Sequence, residues 1–539
     1  ASHNMLLHRL IPRVIPRVGN FIRPFLVSHY LTTSDADNLT YENRKGIITN
    51  DGKNHVDSKY YPLLSVVRQR LAGSEKLRVK EFCKNFKDVV KFLDIDNNRL
   101  CEIYLLEGRI TSIRKSGKAM YFIDIVQDDC SVQIMATNKL MGMDPTAFND
   151  CHSFFKIGDY IAVRGYASRT KTGELTLKLN KQIEMLTPVL LKMPNRLEDR
   201  GLINNNRVLN YLVNRDSKDA IIVKSKVIQA IRNFLLDRDF LEVQTPILSG
   251  QGTGANATPF VTKFKGEPVH LRVAPELWLK KLVIGGFDKV FEIGSNFRNE
   301  GIDMTHNPEF ATCEFYQAYT NLDELMKMTE DMFGYVFDKL GVTDKFPTGN
   351  FPKYEFLPTI EQKTGVSITD LTLDGLVNYH KRLDLAVPPN PNPVKLLNNL
   401  SEIYLESICS EHPNTPVFIY NQPEIMSPLA KSITDAAGNR ISSRFELFIN
   451  AREMANAYEE ENDPCKQLEK FKLQQKMKAD YNDQEMLIPD HNYVWAMEYG
   501  LPPTGGWGCG IDRLAMLIAG ANRIEDVLTF GTLLSVLKN

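Results

Sequence analysis

The sequence predicts an α+β protein, an antiparallel sheet with a few helices, preceded by a small all-β barrel of the OB type. Three observations carry this. Five short strand-like runs fall within about 85 residues after Glu102, the spacing of a small barrel. Past residue 216, helical stretches near 217–237, 275–285, 322–340 and 511–520 are interspersed with strand-like runs at 289–293, 310–319, 443–449 and 505–510, which is not the order of a doubly wound sheet. Finally, 310–319 alternates so that Phe310, Thr312, Glu314, Tyr316 and Ala318 share one face. A face meant only for burial would not set Glu314 beside Tyr316.

In chain order, Ala1-Ser2-His3-Asn4 reads as a tag remnant. Residues 5–34 carry Arg9, Arg13, Arg17 and Arg23 with neither acid nor lysine, which completes an expected targeting segment over 1–34 and points to the mitochondrial matrix. Pro12, Pro16 and Pro24 interrupt any long helix there, and a basic RNA-binding tail is the alternative. An N-terminal extension over 35–98, polar to about residue 60, includes a helix over 79–93. The barrel occupies 99–190, with strands at 104–113, 120–126, 131–136, 160–166 and 175–186. Ser116-Gly117-Lys118, Asp128-Asp129, a connector at 138–156 and Lys171-Thr172-Gly173 separate them. A linker punctuated by Pro and Asn covers 191–215. The larger region, 216–539, holds an insertion at about 345–440, in which Pro388-Pro389-Asn390-Pro391-Asn392-Pro393 excludes helix.

The 539 residues suggest about two to four domains, and 43% hydrophobic with 24% charged residues is ordinary globular composition. A net charge of −1 means that any nucleic-acid partner must meet local basic patches. Eight scattered cysteines with no CxxC pair argue for reduced, mostly buried thiols over a zinc ribbon or a disulfide framework. No run of eighteen apolar residues exists, so no membrane span is expected.

The common nucleotide motifs are missing: there is no GxxxxGK[ST], and Gly506-Trp507-Gly508-Cys509-Gly510 lacks the spacing and context of a dinucleotide fingerprint. Yet the stretch from Phe297-Arg298-Asn299-Glu300 to His306-Asn307-Pro308-Glu309-Phe310 sets an arginine, an acid, a histidine and an aromatic ring in one hairpin loop, as recognition of a bent nucleoside triphosphate requires. The glycine-rich run at 505–510 permits close packing of a strand on the following helix and leaves Arg513 in its first turn, near a phosphate or an adenine face.

These segments resemble the three motifs of class II aminoacyl-tRNA synthetases, in order. A helix ending in Phe240-Leu241-Glu242-Val243-Gln244-Thr245-Pro246 is similar to motif 1, Phe297-Arg298-Asn299-Glu300 to motif 2 and Gly508-Cys509-Gly510-Ile511-Asp512-Arg513 to motif 3. Ala274-Pro275-Glu276-Leu277-Trp278-Leu279-Lys280, Thr305-His306-Asn307-Pro308-Glu309-Phe310 and Ser427-Pro428-Leu429-Ala430-Lys431 resemble the lysyl-tRNA synthetase family, over roughly residues 100 to 535. Thr253 and Asn256 stand where small residues are usual, Thr258 where a basic one is, and Trp278 where tyrosine is common.

The resemblance implies ATP and L-lysine as substrates, Mg2+, tRNA(Lys) as partner and a homodimer with Pro246 at its interface. It implies Arg298 on the α-phosphate and the lysine carboxylate, Glu300 on the adenine amino group, His306 at the γ-phosphate, and Phe310 and Arg513 on the two ring faces. Glu446 and Glu453 would hold the metal. Glu276 and the backbone at Gly254 would take the α-ammonium of lysine, and Glu314, Tyr316 and Glu460, with Asn456 nearby, would surround its ε-ammonium. Within the barrel, Arg114, Phe122 and Gln133 match anticodon contacts, Phe122 by stacking and Gln133 by a base edge. If 453–460 were one unbroken strand, Glu453 would face away from Asn456 and Glu460, so a bulge is expected.

The charges agree with this reading. Lysine presents one carboxylate and two ammonium groups and needs one cation and several acids, whereas an aspartate-specific pocket would need a cation where the acids stand. An asparaginyl- or aspartyl-tRNA synthetase is the alternative within enzymes, and a synthetase-like RNA-binding or regulatory protein without aminoacylation activity is the alternative outside them.

Overall fold

Alternating apolar residues curl five strands of the N-terminal part into a closed barrel. In the computed structural model, which describes residues 35–50, 52, 58–87, 102–170, 172–250, 257–481 and 489–538, strands Ile103–Lys115, Met120–Gln127, Cys130–Thr137, Leu175–Leu179 and Tyr160–Arg169 pair in that order. The first pairs again with the last to close the ring. Leu106, Ile110, Ile123, Ile134, Val163 and Leu177 fill the interior. The expected strand over 175–186 is instead two, Leu175–Leu179 and Glu184–Thr187. They bind opposite ends of Tyr160–Arg169, so the chain must turn between them.

The polar stretch before residue 60, for which the sequence suggested no helix, contains the helix Asp35–Thr49. Its Arg44 is buried and pairs with Asp159 at 2.6 Å, a long-range contact that periodicity cannot foresee. The helix expected over 79–93 is observed as Val79–Phe86 with Lys87 as its cap, and 88–93, like the targeting segment over 1–34, lie outside the described residues. The connector at 138–156 forms two short helices, Asn138–Met141 and Pro145–Ser153, the second capped by Asp144.

The chain divides into two compact units, Ala1–Asn195 and Arg196–Asn539. The stretch expected as a linker carries two short helices in the second unit, Arg200–Asn205 and Arg207–Val213. Asp199 and Asn206 start them by accepting the Leu202 and Leu209 amides.

The second unit is organised by an eight-stranded sheet in the order Lys353–Glu355, Val417–Tyr420, Arg444–Ile449, Arg452–Glu459, Thr504–Gly510, Glu309–Ala318, Lys289–Phe297, Leu241–Glu242. Only the two outermost pairings are parallel. Helices Asp219–Leu236, Leu322–Leu340 and Ile511–Ala519 cover one face over a core that includes Phe291, Phe445 and the stacked Phe315 and Trp507 rings, 5.0 Å apart. The opposite face is left for chemistry.

Two further expectations change. The helix similar to motif 1 does not run into 240–246. It stops at Leu236, Asp239 adopts a left-handed φ of 63°, and Leu241–Glu242 joins the sheet edge. The insertion, which in the resembled family is usually helical, is not purely so here, because its strands Lys353–Glu355 and Val417–Tyr420 extend the main sheet while helices Phe356–Thr364, Leu373–Arg382 and Pro393–Leu400 enclose a core of their own. Residues 388–392 are non-helical as expected, but Pro393 is the first residue of a helix capped by Asn392, a position where proline lacks no needed amide.

All seven described cysteines are free thiols. Cys313, Cys409 and Cys509 are buried, Cys83, Cys130 and Cys151 partly so, and Cys465 is exposed, so burial is less general than expected. Among the described residues no helix is long and apolar enough to cross a membrane.

Arg272 and Glu292 form a buried pair at 2.5 Å, and Glu292 also accepts the Thr245 amide at 3.1 Å and its hydroxyl at 2.7 Å. Breaking one side strands a buried charge, so Glu292→Ala is expected to destabilise the protein by about 3–5 kcal/mol. Asp331→Ala, at the exposed pair with Lys327, should leave the urea midpoint unchanged.

Candidate active site

The site begins with a strand that contributes almost no side chains to it. Along Thr504–Gly510, Gly506, Gly508 and Gly510 point to the open face. They lie opposite Tyr316, Glu314 and Thr312 on one neighbour, and Gly506 and Gly508 lie opposite Tyr458 and Asn456 on the other. Above them is a cavity of about 480 Å3. A Cβ on Gly506 would sit 2.0 Å from Glu460 Oε1 and 2.6 Å from a Tyr316 ring carbon, so only glycine fits.

One end of the cavity is basic. Lys289–Phe297 and Glu309–Ala318 form the hairpin whose loop holds Arg298, Glu300 and His306. The Arg298 guanidinium lies 5.0 Å over the Phe310 ring, and its Nε has no hydrogen-bond partner. Burial pulls its pKa below the ordinary value against Glu300, Glu314 and Glu453. Phe310 is thus faced by Arg298, while Arg513 reaches His306 Nε2 at 2.7 Å and the Glu453 carboxylate at 3.6 Å. Arginine can only donate, so Nε2 accepts and His306 Nδ1 carries the proton shared with Asp303 at 2.7 Å. Burial raises the Asp303 carboxyl, but the Thr305 amide and His306 outweigh it and hold the group at about 2. Asp512 fixes the helix that presents Arg513 by accepting the Ala311 amide at 2.7 Å and pairing with Lys224 at 2.5 Å. Glu300 is exposed at the rim, 3.4 Å from the Thr258 amide.

The other end is acidic. Glu314 is pushed up to about 8, first by burial and then by Glu276. Glu276, at the first turn of the helix Glu276–Ile284, accepts the Tyr458 hydroxyl at 2.5 Å and the Lys280 ammonium at 2.6 Å. Lys280 also contacts Glu460. Burial opposes the Lys280 charge, but Glu276 and Glu460 outweigh it and raise its pKa. Burial likewise pushes Glu460 toward its neutral form while Lys280 draws it back, and an ammonium lying against both carboxylates favours the ion pair. The run Glu459-Glu460-Glu461 divides three ways: Glu459 accepts the Leu322 amide, Glu460 meets Lys280, and Glu461 pairs with Lys470.

The expected bulge is present. Leu447 pairs with Ala455 but Phe448 with Glu453, so Met454 is the extra residue and Glu453 turns to the face of Glu446 and Asn456. Arg444 donates to Glu446 at 2.5 Å and to Asn456 at 3.0 Å. Burial raises the Glu446 pKa, Arg444 opposes the rise and Glu453 adds to it. The insertion brings Glu402 and Glu406 to an adjoining cavity that shares His306, Glu446, Glu453 and Arg513. Burial, helped by Glu402, pushes Glu406 up to about 7.

Thus Glu276, Arg298, Glu300, His306, Phe310 and Glu314 line one cavity with Tyr316, Glu446, Glu453, Asn456 and Arg513. Glu460 sits behind its wall, fully buried. Gly254 lies outside the described residues. Sequence reading missed Lys280, Arg444 and Tyr458. For Tyr458 the signal was available, since it shares a strand face with Asn456. In the barrel, Arg114, Phe122 and Gln133 project from one outer face. Arg114 is exposed beside Asp124, but Gln133 is buried, its amide donating to Glu174 at 2.9 Å and accepting from Thr176 at 3.0 Å. In the chain without RNA the Gln133 side chain is thus engaged by hydrogen bonds across strands. Pro246 is exposed.

Residues 199–533 match the family described as tRNA synthetases class II (D, K and N), and 104–186 match the OB-fold nucleic acid binding domain. The chain is 37% identical to the mitochondrial lysine-tRNA ligase of Saccharomyces cerevisiae over 94% of each chain. It is 38% identical to that of Schizosaccharomyces pombe, over 80% of this chain and 84% of the relative. To the lysine-tRNA ligase of Aquifex aeolicus it is 38% identical, over 79% and 72%.

Gly506→Ala should cost about 1–3 kcal/mol through overpacking and should block ligand entry to the acidic end. Denaturant unfolding and calorimetric titration of the variant check both.

Proposed function

The chain belongs to the class II tRNA synthetases of the D, K and N type, and on that footing we propose that it is an ATP-dependent lysine-tRNA ligase acting in mitochondria. The observation that carries lysine over aspartate or asparagine is the polarity of the cavity. Arg298 stands at one end, Glu276 and Glu314 line the other, and the Lys280–Glu460 pair is buried behind them. One carboxylate and two ammonium groups suit that arrangement, whereas an aspartate side chain would meet Glu314.

In this reading Arg298 holds the lysine carboxylate and the α-phosphate, Glu276 takes the α-ammonium, and Glu314, Tyr316 and Glu460 take the ε-ammonium. ATP bends along the hairpin, with Glu300 at the adenine, Phe310 and Arg513 on its ring faces and His306 at the γ-phosphate. The lysine carboxylate attacks the α-phosphorus, pyrophosphate leaves, and a ribose hydroxyl of the tRNA end then attacks the mixed anhydride. No side chain need act as nucleophile; orientation and charge neutralisation by Arg298 lower the barrier.

Glu446 and Glu453 supply hard oxygen donors on one face and fit Mg2+. Among the described residues no group of three or more His, Cys, Asp or Glu is placed to hold a metal, so the phosphates themselves must complete the shell. When bound, the ion would neutralise phosphate charge.

The barrel presents Arg114 and Phe122 to the anticodon of tRNA(Lys), with Gln133 holding Glu174 beneath them. A homodimer forms through the motif 1 face. Ile247, Leu248, Val261 and Phe264 expose 45%, 57%, 59% and 64% of their surface beside Pro246, on and next to a three-stranded sheet. The arginine-only leader and the mitochondrial relatives support a matrix location.

ATP–pyrophosphate exchange tests the reading, and exchange is expected with lysine alone. Exchange driven by asparagine or aspartate would overturn the pocket assignment, and none with any amino acid would favour an inert RNA-binding protein.

The acidic end also predicts a pH dependence. A lysine ammonium needs Glu314 as a carboxylate, and Glu314 is pushed up to about 8. The KM for lysine should therefore fall as pH rises from about 6 to about 8, with proton release on binding over the same range. Glu314→Gln should flatten the slope.

A further inference from the structure

Lys280 has no part in the substrate contacts above, yet the fold builds a site around it. It stands four residues after Glu276 on one helix, so both side chains share a face. Its side chain has 0% exposure, its Nζ is 2.6 Å from Glu276 Oε1, and it lies against Glu460 Oε2. The rings of Tyr458, Tyr493 and Tyr316 surround the ammonium at 5.5, 5.8 and 6.0 Å. Beyond the ion pair with Lys280, neither Glu460 oxygen has a hydrogen-bond partner, and Oε1 lies against the Gly506 floor. Glu460 thus meets Lys280 with one oxygen and sets the other against Gly506, behind the cavity wall.

We propose that Lys280 is a positioning and specificity-determining residue. By bridging Glu276 and Glu460, it fixes the spacing of the two carboxylates that receive the α- and ε-ammonium groups, and so sets the length of diamino acid accepted. The inference rests on the lysine-ligase reading and its assignment of those two acids. Two neighbouring buried carboxylates repel, and without a cation between them they separate or one takes up a proton. A compact ammonium with three donors can hold both, and a buried helix anchors it. Burial by itself separates substrates differing by one methylene only about 10–200-fold. A rigid pair of carboxylates adds to that, because ornithine, one methylene shorter, cannot reach both.

The test uses the full chain in ATP–pyrophosphate exchange, with active sites counted by the burst of adenylate formation, comparing the parent with Lys280→Met, Lys280→Gln and Lys280→Arg on lysine and ornithine. Each neutral variant should raise the KM for lysine about tenfold or more while kcat per site and the KM for ATP stay within about twofold. The lysine-to-ornithine ratio of kcat/KM should fall about tenfold or more. Lys280→Arg, which keeps the charge, should recover part of that ratio. An unchanged ratio in a folded neutral variant overturns the inference. So does failure of both neutral variants to fold, because Lys280 would then be a structural residue only. A parent enzyme without lysine-dependent exchange would instead overturn the ligase reading.

Discussion

The arrangement depends on one steric constraint, the absence of side chains on the open face of Thr504–Gly510. That strand is central in the sheet, and alternation sends Trp507 and Cys509 into the helical core while Gly506, Gly508 and Gly510 face the cavity. With the floor kept low, Glu314 and Tyr316 on one neighbour and Asn456 and Tyr458 on the other can converge over it without collision. The same backbone that closes the core therefore opens the site, and neither can change without the other.

Low dielectric then makes the charges expensive, and the fold answers with paired opposites. Asp303 orders His306, Arg444 ties Glu446 to Asn456, and Lys280 joins Glu276 to Glu460. Groups left without a full complement remain poised for a ligand: Arg298 Nε and Glu460 Oε1 lack partners, and Glu314 is pushed up to about 8. In the reading proposed above they face the anionic and cationic ends of the substrate.

Local irregularities do as much as the regular sheet. The bulge at Met454 turns Glu453 to the face of Glu446, and the left-handed Asp239 ends a helix so that its continuation can border the sheet. The insertion adds the strands Lys353–Glu355 and Val417–Tyr420 to that sheet, and between them Glu402 and Glu406 come to stand beside His306, Glu446, Glu453 and Arg513. In the barrel, Gln133 faces outward on its strand and yet is buried by hydrogen bonds to Glu174 and Thr176.

The sequence by itself determined the α+β class, the barrel, the long helices and most of the cavity lining, from Arg298 through Arg513. The class, barrel and helices rest on periodicity of two or 3.6 residues and on glycine spacing, and the cavity lining on the resemblance of contiguous motifs to the synthetase family, all of which are local in the chain. It also required the bulge, because parity along 453–460 could not otherwise be met. Tertiary structure alone decided that Glu460 meets Lys280 and Glu461 meets Lys470, that Gln133 is engaged by Glu174 and Thr176, and where the helix of the motif 1 segment stops. Each of these turns on contacts between residues far apart in sequence, such as Lys280 with Glu460 or Gln133 with Glu174. Pairing of buried charges is fixed by three-dimensional proximity, and no one-dimensional pattern encodes it.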